Sequence, residues 1–153
     1  MPMPNTTKVL AISSGGGHWE QLMLLREGLG ASNVVYVNTI RGLAEKAGVS
    51  PAYVIADCNR TVPIRNLRCL MHILKIVLRE RPDVVVSTGA APGLLGLAIG
   101  KVLGAKTIWI DSVANCERLS LSGQVAGWIA DLWITQWSRL AKDKGPHYFG
   151  SVL

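Results

Sequence analysis

The stretch Ile12-Ser13-Ser14-Gly15-Gly16-Gly17-His18-Trp19-Glu20 decides how this chain is read. The apolar run Lys8-Val9-Leu10-Ala11 precedes it, and Gln21-Leu22-Met23-Leu24-Leu25-Arg26, a segment of helical character, follows. Three glycines and a histidine therefore stand where a first strand passes into a first helix. At such a turn the glycines let backbone N–H groups approach a ligand closely. The helix N-terminus adds unpaired donors and the positive end of its dipole. The place suits phosphate, and it also fits a tight turn that binds nothing. It is not a P-loop, because no Gly-Lys-Ser/Thr follows, and it lacks the Gly-x-Gly-x-x-Gly spacing of dinucleotide sites. The second apolar run closes with Val37-Asn38-Thr39, without the acidic residue that would hold a ribose, which disfavours a nicotinamide dinucleotide.

Outward from this turn, apolar runs and helical segments alternate. Strands are expected near Lys8–Ser13, Asn33–Asn38, Tyr53–Ala56, Asp83–Ser87, Lys106–Ile110 and Asp131–Thr135. Helices are expected near Trp19–Leu29, Gly42–Ala47, Ile64–Arg79, Pro92–Leu103 and Leu121–Trp128. This order predicts an α/β fold, a Rossmann-like, mainly parallel sheet with helices on both faces, spanning 1–153 as one domain. The length of 153 residues and a hydrophobic content of 49% supply a core for one such unit and exclude a disordered chain. Val84 to Ala105 carries Lys101 as its only charge, yet Ser87-Thr88-Gly89-Ala90-Ala91-Pro92-Gly93 divides it into strand, turn and short helix, not a membrane span.

A net charge of +6 calls for an anionic partner: nucleic acid, acidic lipid or a phosphorylated substrate. A single Phe and no RNA-binding aromatic motif speak against nucleic acid. Cys58, Cys69 and Cys116 are odd in number and lack metal-ligand spacing, so neither a disulfide framework nor a bound metal is expected, and no cofactor is implied. With a start, Met1 to Lys8, unlike a signal peptide, the expected location is cytoplasmic.

Ligands of open α/β sheets sit beyond the carboxyl ends of the strands, where both Gly-rich turns, Ser13–His18 and Ser87–Gly93, are placed. His18, in the first helical turn, suits a neutral imidazole that accepts a proton from an attacking hydroxyl, contacts phosphate, or merely caps its helix. Asp111, closing the fifth strand, suits a base, a ligand for a sugar hydroxyl, or a helix cap. In the helix Ile64–Arg79, the residues Arg65, Arg68, His72, Lys75 and Arg79 fall on one narrow stripe, while Ile64, Leu67, Leu70, Met71, Ile73, Leu74, Val77 and Leu78 cover a wider arc than one sheet face requires. Either a membrane surface or a second packing partner accounts for it. Trp128, Trp133 and Trp137 are assigned to core or interface, with no chemistry.

The set Ser14-Gly15-Gly16-Gly17-His18, Ser87 to Gly93, Ile110-Asp111-Ser112, Leu119-Ser120-Leu121-Ser122-Gly123, Ala130-Asp131, Thr135-Gln136-Trp137 and Tyr148 to Leu153 resembles the asparagine-linked glycosylation subunit fourteen family and its bacterial exopolysaccharide and capsule counterparts. The resemblance implies the acceptor-side, membrane-side half of a GT-B glycosyltransferase, with a separate chain supplying the donor-binding half. By similarity to peptidoglycan GlcNAc transferases, Ser14, Gly15, Gly16, Gly17 and His18 would hold the diphosphate of a polyprenyl-diphosphate-linked saccharide, with Gly89 and Gly93 lining the same crevice. The eukaryotic members carry an N-terminal membrane anchor, and none is expected here. Arg65, Arg68, Lys75 and Arg79 would then hold the protein peripherally on the inner face of an anionic membrane. Two rival expectations are a non-catalytic scaffold that recruits the donor-binding chain and a stand-alone nucleotide-binding module.

Overall fold

The alternating apolar runs become the strands of one seven-stranded, all-parallel sheet of order β3-β2-β1-β4-β5-β6-β7 in the computed structural model, which describes residues 6–30, 33–58 and 61–152. The strands are β1 (Lys8–Ser13), β2 (Asn33–Asn38), β3 (Ala52–Val54), β4 (Val84–Gly89), β5 (Lys106–Ile110), β6 (Leu132–Thr135) and β7 (His147–Tyr148). The helices are α1 (Gly17–Leu25), α2 (Leu43–Ala47), α3 (Pro63–Glu80), α4 (Ala90–Val102) and α5 (Leu121–Ala126). The fold is the expected Rossmann-like α/β arrangement with helices on both faces.

Side chains alternate across the strands and feed two separate cores. Leu10, Ile12, Val35, Val37 and Val85 meet Cys69, Ile73 and Val77 of α3 and Leu97 of α4 on one face. Val9, Ala11, Tyr36 and Val86 meet Trp19 and Leu22 of α1 and Ala44 of α2 on the other. Because β1 and β4 are neighbours while α1 and α4 leave them for opposite faces, the strand order reverses between them. A crevice opens there, where such sheets bind their ligands.

Helix α4 lies close to the sheet because three glycines face it. A Cβ on Gly93 would stand 1.9 Å from Ser87 Oγ, one on Gly96 3.0 Å from Ile12, and one on Gly100 2.5 Å from Val85. Gly93 is thus buried against β4 and does not line the crevice, contrary to the reading of the second turn as a whole.

Other differences from the sequence reading are local. Strand β7 and a 3-10 turn at Ser138–Leu140 have no sign in the sequence, since two or three residues carry no legible period. Helix α1 passes into a 3-10 turn at Arg26–Leu29, where Gly28 and Gly30 weaken the α-helix. Helix α4 begins two residues before Pro92, which sits inside the first turn, and α5 ends at Ala126, ahead of Gly127. Met1 to Asn5 and Leu153, used above in reading the ends of the chain, lie outside the described residues.

Candidate functional site

The first Gly-rich turn is built by backbone geometry that side chains resist. Gly16, the N-cap of α1, has φ 73° and ψ −140° and offers no side-chain cap to the helix. Gly17, His18 and Trp19 therefore begin α1 with N–H groups that have no intrahelical acceptor. Gly15 plays a different part. Its N–H donates to Thr39 Oγ1 at 2.9 Å, and a Cβ on it would meet Ile40 at 2.2 Å. This glycine seats the loop against the β2–α2 connection, and its N–H is not free for an anion, contrary to the expectation for Gly15. Asn38 Oδ1 accepts the Ile40 N–H at 2.8 Å and so braces that connection. Ser14 is half-buried, its hydroxyl 3.5 Å from the Gly15 carbonyl.

The second turn clasps the first. Thr88 Oγ1 donates to the His18 carbonyl at 2.7 Å, and the His18 Nδ1 lies 3.3 Å from the Thr88 carbonyl. A carbonyl only accepts, so Nδ1 carries the hydrogen of this contact and a neutral imidazole keeps its lone pair on Nε2. Gly89, with φ 147°, leaves room for the ring, since a Cβ there would stand 2.3 Å from Nδ1. Ala90 follows with φ 67°, an uncommon conformation for a residue with a side chain, and such conformations cluster at functional sites. The two turns thus meet in one crevice at the carboxyl ends of β1 and β4, with His18 half-buried between them.

Asp111 also stands at a strand end, but its contacts are structural. It is 1% exposed, and its four hydrogen bonds come from Trp109 Nε1 at 3.1 Å, Asn115 Nδ2 at 3.1 Å, the Ser120 N–H at 3.1 Å and Ser120 Oγ at 2.7 Å. These donors match the acceptor capacity of a carboxylate and leave no lone pair facing a substrate. Asp111 ties the loop 112–120 to β5, and the expectation of a proton-transfer role at Asp111 does not fit this geometry. Through Ser120, whose Oγ also accepts the Gly123 N–H at 2.8 Å, it fixes the start of α5.

Of the residues that frame this loop, Gln136 and Trp137 stand in the motif that carries the family resemblance but were given no site role, and Gln21 was not singled out. Gln21, one turn beyond His18 on α1, accepts the Val113 N–H at 3.0 Å and reaches the Asp111 carbonyl at 3.4 Å. Gln136 donates to the same carbonyl at 3.0 Å, and Trp137 Nε1 donates to the Val113 carbonyl at 2.7 Å. Gln21 carried a faint sign of its own, a polar residue at the head of the apolar run Leu22 to Leu25. Trp133 packs against the core as expected, whereas Trp128 is 91% exposed.

Arg65, Arg68, Lys75 and Arg79 are all exposed on α3. His72 belongs to the same stripe but is half-buried, its Nδ1 accepting the Ala56 N–H at 3.1 Å. Arg65 and Arg68 also wall a recess of about 450 Å³ with Thr39, Asp57 and Val62, at the end of the sheet that carries the Gly-rich loop. On the opposite flank of that loop, a recess of about 410 Å³ runs from Gly16 past Trp19, Met23 and Leu24 to Leu43 and Lys46.

Residues 48–152, more than half of the chain, match the family described as "Oligosaccharide biosynthesis protein Alg14 like". The chain belongs to this family. Among similar proteins, the UDP-N-acetylglucosamine transferase subunit ALG14 of Mus musculus is 33% identical over 51% of this chain, which spans about two fifths of that protein, 39% of its length. The subunit of the same name from Eremothecium gossypii is 26% identical over 95% of this chain and 80% of its own length. The fold of this Alg14-like chain recurs in solved structures. MurG of Acinetobacter baumannii superposes with a TM-score of 0.75 at 14% identity, over 95% of this chain and 45% of MurG. The UDP-N-acetylglucosamine 2-epimerase of Rickettsia bellii does so with a TM-score of 0.68 at 14% identity, over 88% of this chain and 40% of the epimerase. The Alg14-like chain therefore has the fold of one Rossmann-like half of the two-domain GT-B arrangement.

Proposed function

We propose that this Alg14-like protein is the acceptor-binding subunit of a two-chain glycosyltransferase, taking a sugar from a nucleotide-diphosphosugar to a polyprenyl-diphosphate-linked saccharide. The observation that carries this reading is the clasp between His18 and Thr88, which places an imidazole beside the uncapped N-terminus of α1 in the crevice at the strand reversal. The acceptor diphosphate would lie against the N–H groups of Gly16, Gly17 and His18, with Ser14 and Gly89 beside it. Donors and dipole at a helix N-terminus favour such an anion.

Transfer would be direct displacement. The acceptor hydroxyl oxygen attacks the anomeric carbon as the bond to the nucleoside diphosphate breaks, and the hydroxyl proton passes to His18 Nε2. The Nδ1 hydrogen bond to Thr88 supports this role by holding the ring and its tautomer. The donor nucleotide would be held by a separate chain, a reading supported by the name of the relatives as transferase subunits and by the place of a GT-B site between two Rossmann-like halves. The exposed cations Arg65, Arg68, Lys75 and Arg79 of α3 would rest on an anionic membrane, placing the protein peripherally on its cytoplasmic face.

Reconstitution tests the reading. Mixed with its donor-binding partner, the protein should transfer a sugar from UDP-N-acetylglucosamine, the donor named for its relatives, to a polyprenyl-diphosphate saccharide. His18→Ala should lower turnover at saturating acceptor, while each chain alone should be inactive. Full activity of the pair after His18→Ala would remove the catalytic assignment and favour a scaffold.

A further inference from the structure

The exposed surface of α3 is divided lengthwise. At about 100° per residue, Leu74, Leu67, Leu78, Met71 and Ile64 occupy one sector, and Lys75, Arg68, Arg79 and Arg65 the next. The basic sector turns toward the β3 edge, since His72 beside it accepts the Ala56 N–H at 3.1 Å and Arg65 and Arg68 share a recess with Ile55, Ala56 and Ile64. The apolar sector turns toward α4, since Leu78 shares a recess with Gly100 and Leu103. Apolar exposure continues there with Val102, at 85%, and beyond it along α5 with Leu121, Val125 and the following Trp128 at spacings of four and three. Lys101 Nζ donates to the Ile129 carbonyl at 2.7 Å, fastening the end of α4 beside Trp128.

Charge follows the same division. Helices α3, α4 and α5 carry one acidic residue, Glu80, which is paired with Lys8 at 2.7 Å. Arg65, Arg68, Lys75 and Arg79 take part in neither of the ion pairs found among the described residues. The opposite helical layer sets Glu20, Glu27 and Glu45 against Arg26 and Lys46 and so carries no such excess of cations. An apolar surface rimmed by cations, with Asp57 and Asp83 at its margins accepting the backbone N–H groups of Cys58 and Lys8, matches an anionic bilayer interface, where Trp and basic residues are favoured.

We infer that the outer surface of the α3–α4–α5 layer lies flat on an anionic membrane, with Trp128 inserted at the headgroup boundary as a second anchor beside α3. This deepens the proposed function and rests on its membrane reading of α3. The flat orientation brings the crevice to the edge of the layer, within reach of a lipid-linked diphosphate. No helix among the described residues is long and apolar enough to cross the membrane, so the attachment described is interfacial.

Trp128 supplies its own probe, because Trp19 and Trp109 are buried and Trp133 and Trp137 half-buried. The protein is mixed with phosphatidylglycerol/phosphatidylcholine vesicles whose acyl chains are brominated, and tryptophan quenching and cosedimentation are read together. Wild type should bind and be quenched. Trp128→Phe should bind within about twofold of wild type yet lose the quenching, and Trp128→Ser should partition about tenfold more weakly, given the area of an indole. Bound wild type without quenching, or equal quenching of wild type and Trp128→Phe, overturns the inference. If charge reversal of Arg68, Lys75 and Arg79 releases the protein while Trp128→Ser stays bound, the α3 reading stands and the second anchor falls. If wild type does not bind, both fall. Conversion of a dimer to a monomer by Trp128→Ser, with partitioning unchanged, would identify the face as a contact between copies and overturn the inference equally.

Discussion

Gly17→Ala separates a ligand-binding loop from a mere turn. Gly17 is the first residue of α1, its φ is not in the left-handed range, and a Cβ built on it meets no heavy atom within 4 Å. Alanine there causes no clash and restricts the unfolded chain, so stability should stay level or rise by up to about 1 kcal/mol. Gly16 cannot serve as this probe, because its φ of 73° adds backbone strain to any substitution. If the N–H groups of the first turn touch a diphosphate, the new methyl obstructs that approach. Loss of one charge-assisted hydrogen bond, about 1.5–3 kcal/mol, corresponds to roughly a ten- to hundred-fold weaker acceptor. The assay pairs thermal unfolding of the variant with the acceptor dissociation constant in the two-chain complex, using a short-chain, water-soluble polyprenyl-diphosphate saccharide. Donor binding by the partner should not change. An unaltered acceptor affinity would refute the reasoning, because a diphosphate resting on these N–H groups would meet the added methyl.

Two other outcomes follow from contacts already described. Asp111→Asn puts an NH₂ where a buried oxygen accepts two donors, which should lower stability by about 2–4 kcal/mol and loosen the loop 112–120; an unchanged melting temperature with abolished turnover would restore a catalytic role. Hydrogen bonds from Lys8 and Tyr53 hold the Glu80 carboxyl below its ordinary value of 4.5, so its contribution to stability is complete above that pH and is lost as pH falls through the lowered value. The stability gap between wild type and Glu80→Gln should accordingly be constant near neutrality and close in acid, and a gap that widens in acid would contradict the contact.

The sequence by itself determined the fold class and marked where the candidate site falls along the chain. Periodicity alternating between strand and helix leaves few solutions other than a parallel sheet, and Gly16 beside His18 marks a strand-to-helix turn wherever the rest of the chain goes. Local chemistry reached that far because each signal lies within a few residues. What Gly15, Gly93 and Asp111 do was decided by which partners the folded backbone turns toward them, near or far in sequence. Thr39 takes the Gly15 N–H, Ser87 and Ile12 lie against Gly93, and Trp109, Asn115 and Ser120 surround Asp111. A glycine needed for a close approach reads like one needed for a ligand, and a carboxylate at a strand end reads the same whether it faces a crevice or four donors. Only packing β1 against both β2 and β4 brings Thr39 and Thr88 to either side of the first turn, separating the N–H groups the fold consumes from those it leaves open.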